Sequence, residues 1–317
     1  MAADRLGLGL LLRFGEHYAR VGDPIHWREL RTLARVAEEV GFDTLWCDDH
    51  FLYDTFPESA PDHGRFRGMW DCFTLLSALA EATTTVSLGS FVACTSYRNP
   101  AHLARIVDTL DDISGGRLIL GLGAGWNKPE YDAFGYPFDH LVGRFSEALQ
   151  IIVPLLREGQ VDFVGEYYQA RECELRPRGP RAKGPPIWIG GSKPRMLGLV
   201  ARYADAYNTV WHTRPDAMAA QFERVDAACR AADRDPQTLL HTSGSYVALP
   251  APGQDAPPQL RPSIRATPEA LAEQLLAFHA AGAAHLTLSV EPWNIAGIER
   301  CGRVIELIHK SNRPTEE

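Results

Sequence analysis

Apolar residues along the chain gather into short, dense runs that alternate with longer stretches where they recur every third or fourth position. Leu6–Leu12 is the first dense run, and His26–Val40 then puts Leu30, Leu33, Ala34, Ala37 and Val40 on one helical face. Gly41 stands where such a helix ends. The unit recurs to the end of the chain. Further strands are predicted at Asp43–Cys47, Val86–Ala93, Arg117–Leu122, Pro186–Ile189, Ala206–Val210, Leu239–Leu249 and His285–Val290. Helices are predicted at Trp70–Thr83, Pro100–Ile113, Arg144–Arg157, Pro194–Tyr203, Asp216–Ala232, Pro268–Ala281 and Ile295–Lys310.

Each of the eight strands is thus followed by a helix. Such alternation predicts parallel strands with the helices outside. It is compatible with an open, doubly wound sheet, but eight units favour a closed (β/α)8 barrel, here a single domain over residues 1–317. The length of 317 residues would also suit two smaller domains, so it does not decide. Two stretches depart from the repeat. Val161–Gln169 shows two extended runs around Gly165 and Glu166, predicting a small hairpin inserted before the fifth strand. Pro250–Pro262, rich in Pro, Gly and Gln, predicts a surface loop.

Composition changes this picture little. A 45% hydrophobic and 23% charged chain is ordinary for a water-soluble protein with a sizeable core. With a net charge of -8 and no basic stripe, no nucleic-acid partner is expected. Leu6–Leu12 is too short to cross a bilayer and no export cleavage pattern follows it, so a cytoplasmic protein without a membrane partner is expected. The six cysteines are scattered with no C-x-x-C pair, which predicts reduced thiols and no zinc or other metal site.

In barrels of this kind, chemistry gathers at the carboxyl ends of the strands. There the sequence places Asp48-Asp49-His50 after the second strand, Cys94 after the third, Gly121, Gly123, Gly125 and Asn127 after the fourth, and Gly190-Gly191-Ser192 after the fifth. The last segment opens a helix. Free N–H groups and the helix dipole would bind a phosphate there, with Lys193 and Arg195 adding charge; a plain turn with Ser192 as N-cap accounts for the residues equally well. The spacing Gly121, Gly123, Gly125 is not a dinucleotide fingerprint, but it would clear space for a flat ring, or form a flexible turn. His50 is the sharpest candidate for proton transfer, with Asp48 or Asp49 placed to orient it.

Taken in order, these pieces resemble the bacterial luciferase-like monooxygenase superfamily, and within it the branch that uses the deazaflavin coenzyme F420. The likeness runs over nearly the whole chain: Gly41-Phe-Asp-Thr-Leu-Trp46 with Asp49-His50-Phe51, Tyr97-Arg-Asn-Pro-Ala101, Leu110 to Leu118, Gly121 to Asn127, Gly165-Glu-Tyr-Tyr168 and Pro186 to Ser192. The resemblance implies a (β/α)8 barrel binding F420, or alternatively FMN, at the strand ends. It implies catalytic roles for Asp49 and His50, a ledge behind the ring from Phe91, Val92 and Cys94 with a cis Phe91–Val92 peptide, ring or ribityl contacts from Asn127 beside Gly125, and a phosphate site at Gly190, Gly191 and Ser192. Cys94 stands where relatives often carry Thr. An acidic cofactor tail would meet Lys128, Arg178, Arg181 or Lys183. A small-molecule substrate would be chosen by the loops Leu52–Met69, Lys128–His140 and Pro250–Pro262, with Tyr53, Phe56, His63, Phe66 and Trp70 as an aromatic wall, and a homodimer is expected. The activity implied is F420-dependent hydride transfer, with FMN-dependent monooxygenation and a non-catalytic cofactor-binding barrel as alternatives.

Overall fold

A computed structural model describes residues 5–16, 24–53, 67–251, 253 and 262–311. Eight parallel strands form its centre: β1 (Gly7–Leu11), β2 (Thr44–Cys47), β3 (Ser87–Ser90), β4 (Leu118–Gly123), β5 (Ile187–Gly190), β6 (Ala206–Val210), β7 (Leu240–Ala248) and β8 (His285–Glu291). Each pairs with its successor, and β8 pairs with β1 in the register His285 opposite Gly7, so the sheet closes on itself. The alternation read from the sequence is therefore a (β/α)8 barrel.

The helices form where the apolar spacing places them and stop where local chemistry changes. In α1 (Trp27–Glu39), Leu30, Leu33, Ala34 and Ala37 are buried. Asp71 caps α2 (Cys72–Ala82) by accepting from the Thr74 N–H at 2.8 Å. Asn99 caps α3 (Pro100–Ile113) by accepting from Ala101 and His102, while Pro100 occupies the first turn, where no N–H is required. Two helices follow β4: a short α4 (Lys128–Phe134), which the apolar spacing does not announce, and α5 (Leu141–Glu158). The remaining four are α6 (Pro194–Tyr203), α7 (Pro215–Ala231), α8 (Pro268–Ala280) and α9 (Ile295–Ser311). The apolar faces of the helices bury against the outside of the barrel, where Leu, Ile and Val dominate the core.

The inside of the barrel is a separate layer. Trp46 is fully buried there, against Phe91 and Trp188 at ring-centroid distances of 5.7 and 4.8 Å. Its indole fits because both neighbouring strands carry glycine beside it. A Cβ on Gly9 would lie 2.3 Å from the indole nitrogen, and one on Gly89 2.2 Å from the ring.

Besides α4, two predicted elements differ from the sequence expectation. The predicted strand Val86–Ala93 is interrupted at a cis Phe91–Val92 peptide and resumes as Ala93–Cys94, still paired with β4. The predicted hairpin is present before β5 but extends further, with Gln160–Val164 antiparallel to Gln169–Glu174. Glu147 of α5 fixes its turn by accepting from the N–H groups of Glu166, Tyr167 and Tyr168. Most of the loop Pro250–Pro262 and of the loop Leu52–Met69, including Phe56, His63 and Phe66, lies outside the described residues.

Candidate functional site

A cavity of about 620 Å³ opens at the carboxyl ends of β2 to β7. Four glycines shape its approach, for reasons that differ along the rim. Gly121 clears the Ser90 carbonyl, which a Cβ would meet at 2.0 Å, and Gly123 clears the Val92 side chain. Gly125 has φ 81°, and a Cβ there would meet the Tyr131 hydroxyl at 1.9 Å. The three glycines thus admit neighbouring protein atoms around the Phe91–Val92 ledge, and Gly123 and Gly125 also line the cavity. Gly190 differs, because the atoms nearest to an added Cβ are 3.6 Å or more away, on the cavity side beside Val92.

His50 lines this cavity, and its partner is a residue that the sequence did not single out. The imidazole Nδ1 lies 2.9 Å from Glu130 Oε2, on α4. The same carboxylate accepts from the Tyr97 hydroxyl at 2.9 Å, from the Leu52 N–H at 3.0 Å and from the Phe51 N–H. Glu130 is wholly buried. Burial alone would raise its pKa, but the hydrogen bond and charge of His50 together with the two backbone donors hold it below the usual range. For His50, burial works toward a lower pKa. The Glu130 hydrogen bond and charge, helped by Asp48 and Asp49, outweigh it and leave the imidazole more basic than usual. An ionised Glu130 requires a proton on Nδ1, so Nε2 is the nitrogen left for the cavity.

Asp49 does not orient His50. Its carboxylate accepts from the Cys94 N–H at 2.9 Å and from both terminal nitrogens of Arg98, at 2.7 and 3.0 Å. It is 4% exposed, and it locks the end of β2 to the segment after the ledge. Cys94 also lines the cavity, with its sulfur 3.1 Å from the Tyr131 hydroxyl and its thiol pushed up to about 11 by burial, so it sits there as a neutral thiol. Asn127 has its side-chain amide turned elsewhere: it donates to the Leu52 carbonyl at 2.7 Å, tying the start of α4 to the chain after His50. Phe91, Val92, Gly125, Gly190, Gly191 and Ser192 all line the cavity.

The phosphate candidate can be judged from α6. Its N-cap is Lys193, not Ser192, and no side chain caps it. The positive end of the helix dipole therefore meets the cavity rim uncapped, beside Gly190, Gly191 and Ser192 and with the Lys193 side chain at hand. Gly191 has φ 134°, a conformation that favours glycine. Three of the other cationic candidates are engaged elsewhere. Arg181 bonds Asp111 and the Leu118 carbonyl at the start of β4, and Arg178 bonds the Leu156 carbonyl, which places both at the opposite end of the barrel. Lys128 pairs with Asp132 on its own helix. Of the predicted aromatic wall, Tyr53 lines the cavity, whereas Trp70 donates its indole N–H to the Ile25 carbonyl.

A model of the luciferase-like monooxygenase family matches residues 7–289. The chain belongs to that family. Among curated relatives, it is 37% identical over 167 residues to a pyrimidine monooxygenase, RutA, of Stutzerimonas stutzeri, covering 50% of this chain and 45% of the relative. It is 32% identical over 177 residues to a 5,10-methylenetetrahydromethanopterin reductase of Archaeoglobus fulgidus, covering 56% and 47%. The matches thus span about half the length of these luciferase-like relatives. Among solved structures, an F420-dependent secondary alcohol dehydrogenase bound to an F420-acetone adduct superposes with a TM-score of 0.78 at 20% identity, covering 96% of this chain and 99% of that one. Membership supports an oxidoreductase; the relatives include both reductases and monooxygenases.

Proposed function

We propose that this luciferase-like barrel is an F420-dependent oxidoreductase acting on a small organic alcohol or carbonyl compound. The observation that carries the proposal is His50, held through Nδ1 by a buried carboxylate, with Nε2 left for the cavity. Hydride transfer at a carbon bearing oxygen requires one proton to leave or join that oxygen, and an imidazole with its other nitrogen committed is suited to this. The fold is shared with the solved F420-dependent secondary alcohol dehydrogenase.

The residues present fit such a group. The uncapped start of α6 with Gly190, Gly191, Ser192 and Lys193 would hold its phosphate, and the Phe91–Val92 ledge would support its ring system. When bound, the deazaflavin supplies a carbon centre that accepts or donates hydride. The protein's part is to take up or release the substrate proton at His50 Nε2, to keep Nδ1 protonated through Glu130, and to close the site with apolar walls. Because the imidazole is more basic than usual, its protonated form persists to higher pH than that of a free histidine.

The similarity to RutA favours a second reading, FMN-dependent monooxygenation, in which His50 would act as proton donor on oxygen chemistry. One experiment separates the two. The protein is mixed without oxygen with F420 and a panel of alcohols, and separately with reduced FMN in air. Loss of the F420 visible band, reduced about 100-fold or more in His50→Ala with F420 affinity retained, is the expected result. Oxygen uptake coupled to substrate oxidation with reduced FMN, and no change with F420, would replace the proposal with the monooxygenase.

A further inference from the structure

Tyr97 ends a short 3-10 turn, Thr95–Tyr97, just beyond the Phe91–Val92 ledge. Phe51, Tyr131 and Tyr136 pack around its ring at centroid distances of 4.6, 5.2 and 5.3 Å, which fixes the direction of its hydroxyl. That hydroxyl donates to Glu130 Oε2 at 2.9 Å, the same oxygen and the same distance as His50 Nδ1. The other oxygen, Oε1, accepts from the N–H groups of Phe51 and Leu52. A carboxylate offers about four lone-pair sites, so these four donors saturate it.

Each donor at Oε2 draws off part of the negative charge that holds the proton on Nδ1. The Tyr97 bond is stronger when His50 is neutral, because the carboxylate then has no cation beside it, so the hydroxyl favours the neutral imidazole. A second donor on the same oxygen cannot accept the Nδ1 proton in turn, so the contact is not a relay. The other groups facing the pair act differently. Asp48 and Asp49 stand at the end of β2, and Asp49 is paired with Arg98. Tyr53 stacks on the imidazole at 4.7 Å. Cys94 and Tyr131 lie beside Tyr97, and burial pushes the thiol and the phenol up, so both stay neutral.

We infer that Tyr97 is a positioning residue that acts on His50 through Glu130, holding down the basicity that the carboxylate confers and so setting the pH at which Nε2 exchanges its proton with substrate. The link to substrate rests on the redox proposal, but the effect on the imidazole is a property of the protein alone.

The test follows the His50 imidazole by NMR across pH in the cofactor-free protein and in Tyr97→Phe, which removes the hydroxyl and keeps the ring. His50 is expected to titrate about 0.5–1 unit higher in the variant. Made in Glu130→Gln, the same change is expected to leave the titration where Glu130→Gln puts it, since the route is gone. Replacement of Tyr97 by 3-fluorotyrosine keeps the hydroxyl and makes it a stronger donor, and is expected to move His50 down; it decides the matter if Tyr97→Phe does not fold. An unmoved or lowered titration in Tyr97→Phe, no change or a rise with 3-fluorotyrosine, or an equal shift in both Glu130 backgrounds would each overturn the inference. A purely structural hydroxyl would lower the thermal midpoint and leave the titration in place. With F420 and an alcohol, the pH–rate profile of Tyr97→Phe is expected to move up by the same amount with KM unchanged. If no F420 turnover occurs, the redox proposal fails, and the titration still decides the role of Tyr97.

Discussion

Glu130 accepts four hydrogen bonds at one carboxylate that water does not reach, and His50 receives its orientation from it. Replacing it with Gln keeps one acceptor for the backbone N–H groups but turns an NH₂ toward Nδ1 and the Tyr97 hydroxyl, both of which need an acceptor. Glu130→Gln is therefore expected to lower the His50 pKa and to move the alkaline limb of the pH–rate profile downward. The imidazole proton resonances, titrated by NMR, check this without any substrate. An unchanged titration would show that Glu130 does not govern the imidazole. His50 was legible in the sequence because it is an ionisable residue directly after a strand. Glu130 was not, because the contact spans 80 residues and the nearer carboxylates, Asp48 and Asp49, drew the assignment. The signal available was position: Glu130 lies just after β4, at the same rim.

At the scale of elements, the site depends on segments that tie one strand end to another. Asp49 binds the end of β2 to Cys94 beyond the ledge and to Arg98, and Arg98 reaches Asp71 at the start of α2. The pair is largely shielded from water, Arg98 at 12% and Asp49 at 1% side-chain exposure. Removing one member of such a pair leaves a charge without compensation. Arg98→Met is expected to cost about 3–5 kcal/mol in urea unfolding, a cost that a purely exposed ion pair would not show. Helix α4 performs a parallel task through Asn127 and Glu130, both bonded to the chain just after His50. Its seven residues were not recovered from periodicity because two turns are too few to establish a stripe. The Gly121, Gly123 and Gly125 series was noticed, but its reason became visible only with the Ser90, Val92 and Tyr131 atoms that each glycine admits.

Across the whole molecule, the alternation of dense apolar runs with helical spacing carried the barrel, since each strand is buried on both faces and each helix on one. The contents of the interior were not carried, because Trp46, Trp188 and His285 meet only after closure. His285 is enclosed there with both ring nitrogens lacking a hydrogen-bond partner among the described residues, and burial pushes its pKa down to about 4, with Asp43 opposing only in part. The unfolded chain takes up a proton near pH 6.5 while the folded one does not until about pH 4. Stability contributed by this group is therefore full above pH 6.5 and falls by about 3 kcal/mol as the pH drops toward 4. Urea unfolding at pH 7 and pH 4.5 is expected to show a smaller difference for His285→Asn than for the wild type. An equal difference would mean that the histidine does not carry that slope.

Under the proposed function, this barrel mouth takes a deazaflavin in front of His50. Fluorescence titration of the wild-type protein with F420 and with FMN, in the same buffer and without oxygen, tests it most directly. Saturable binding of F420 at one site per chain, at least about tenfold tighter than FMN, is the predicted result. Tighter binding of FMN, or no binding of either, would contradict it.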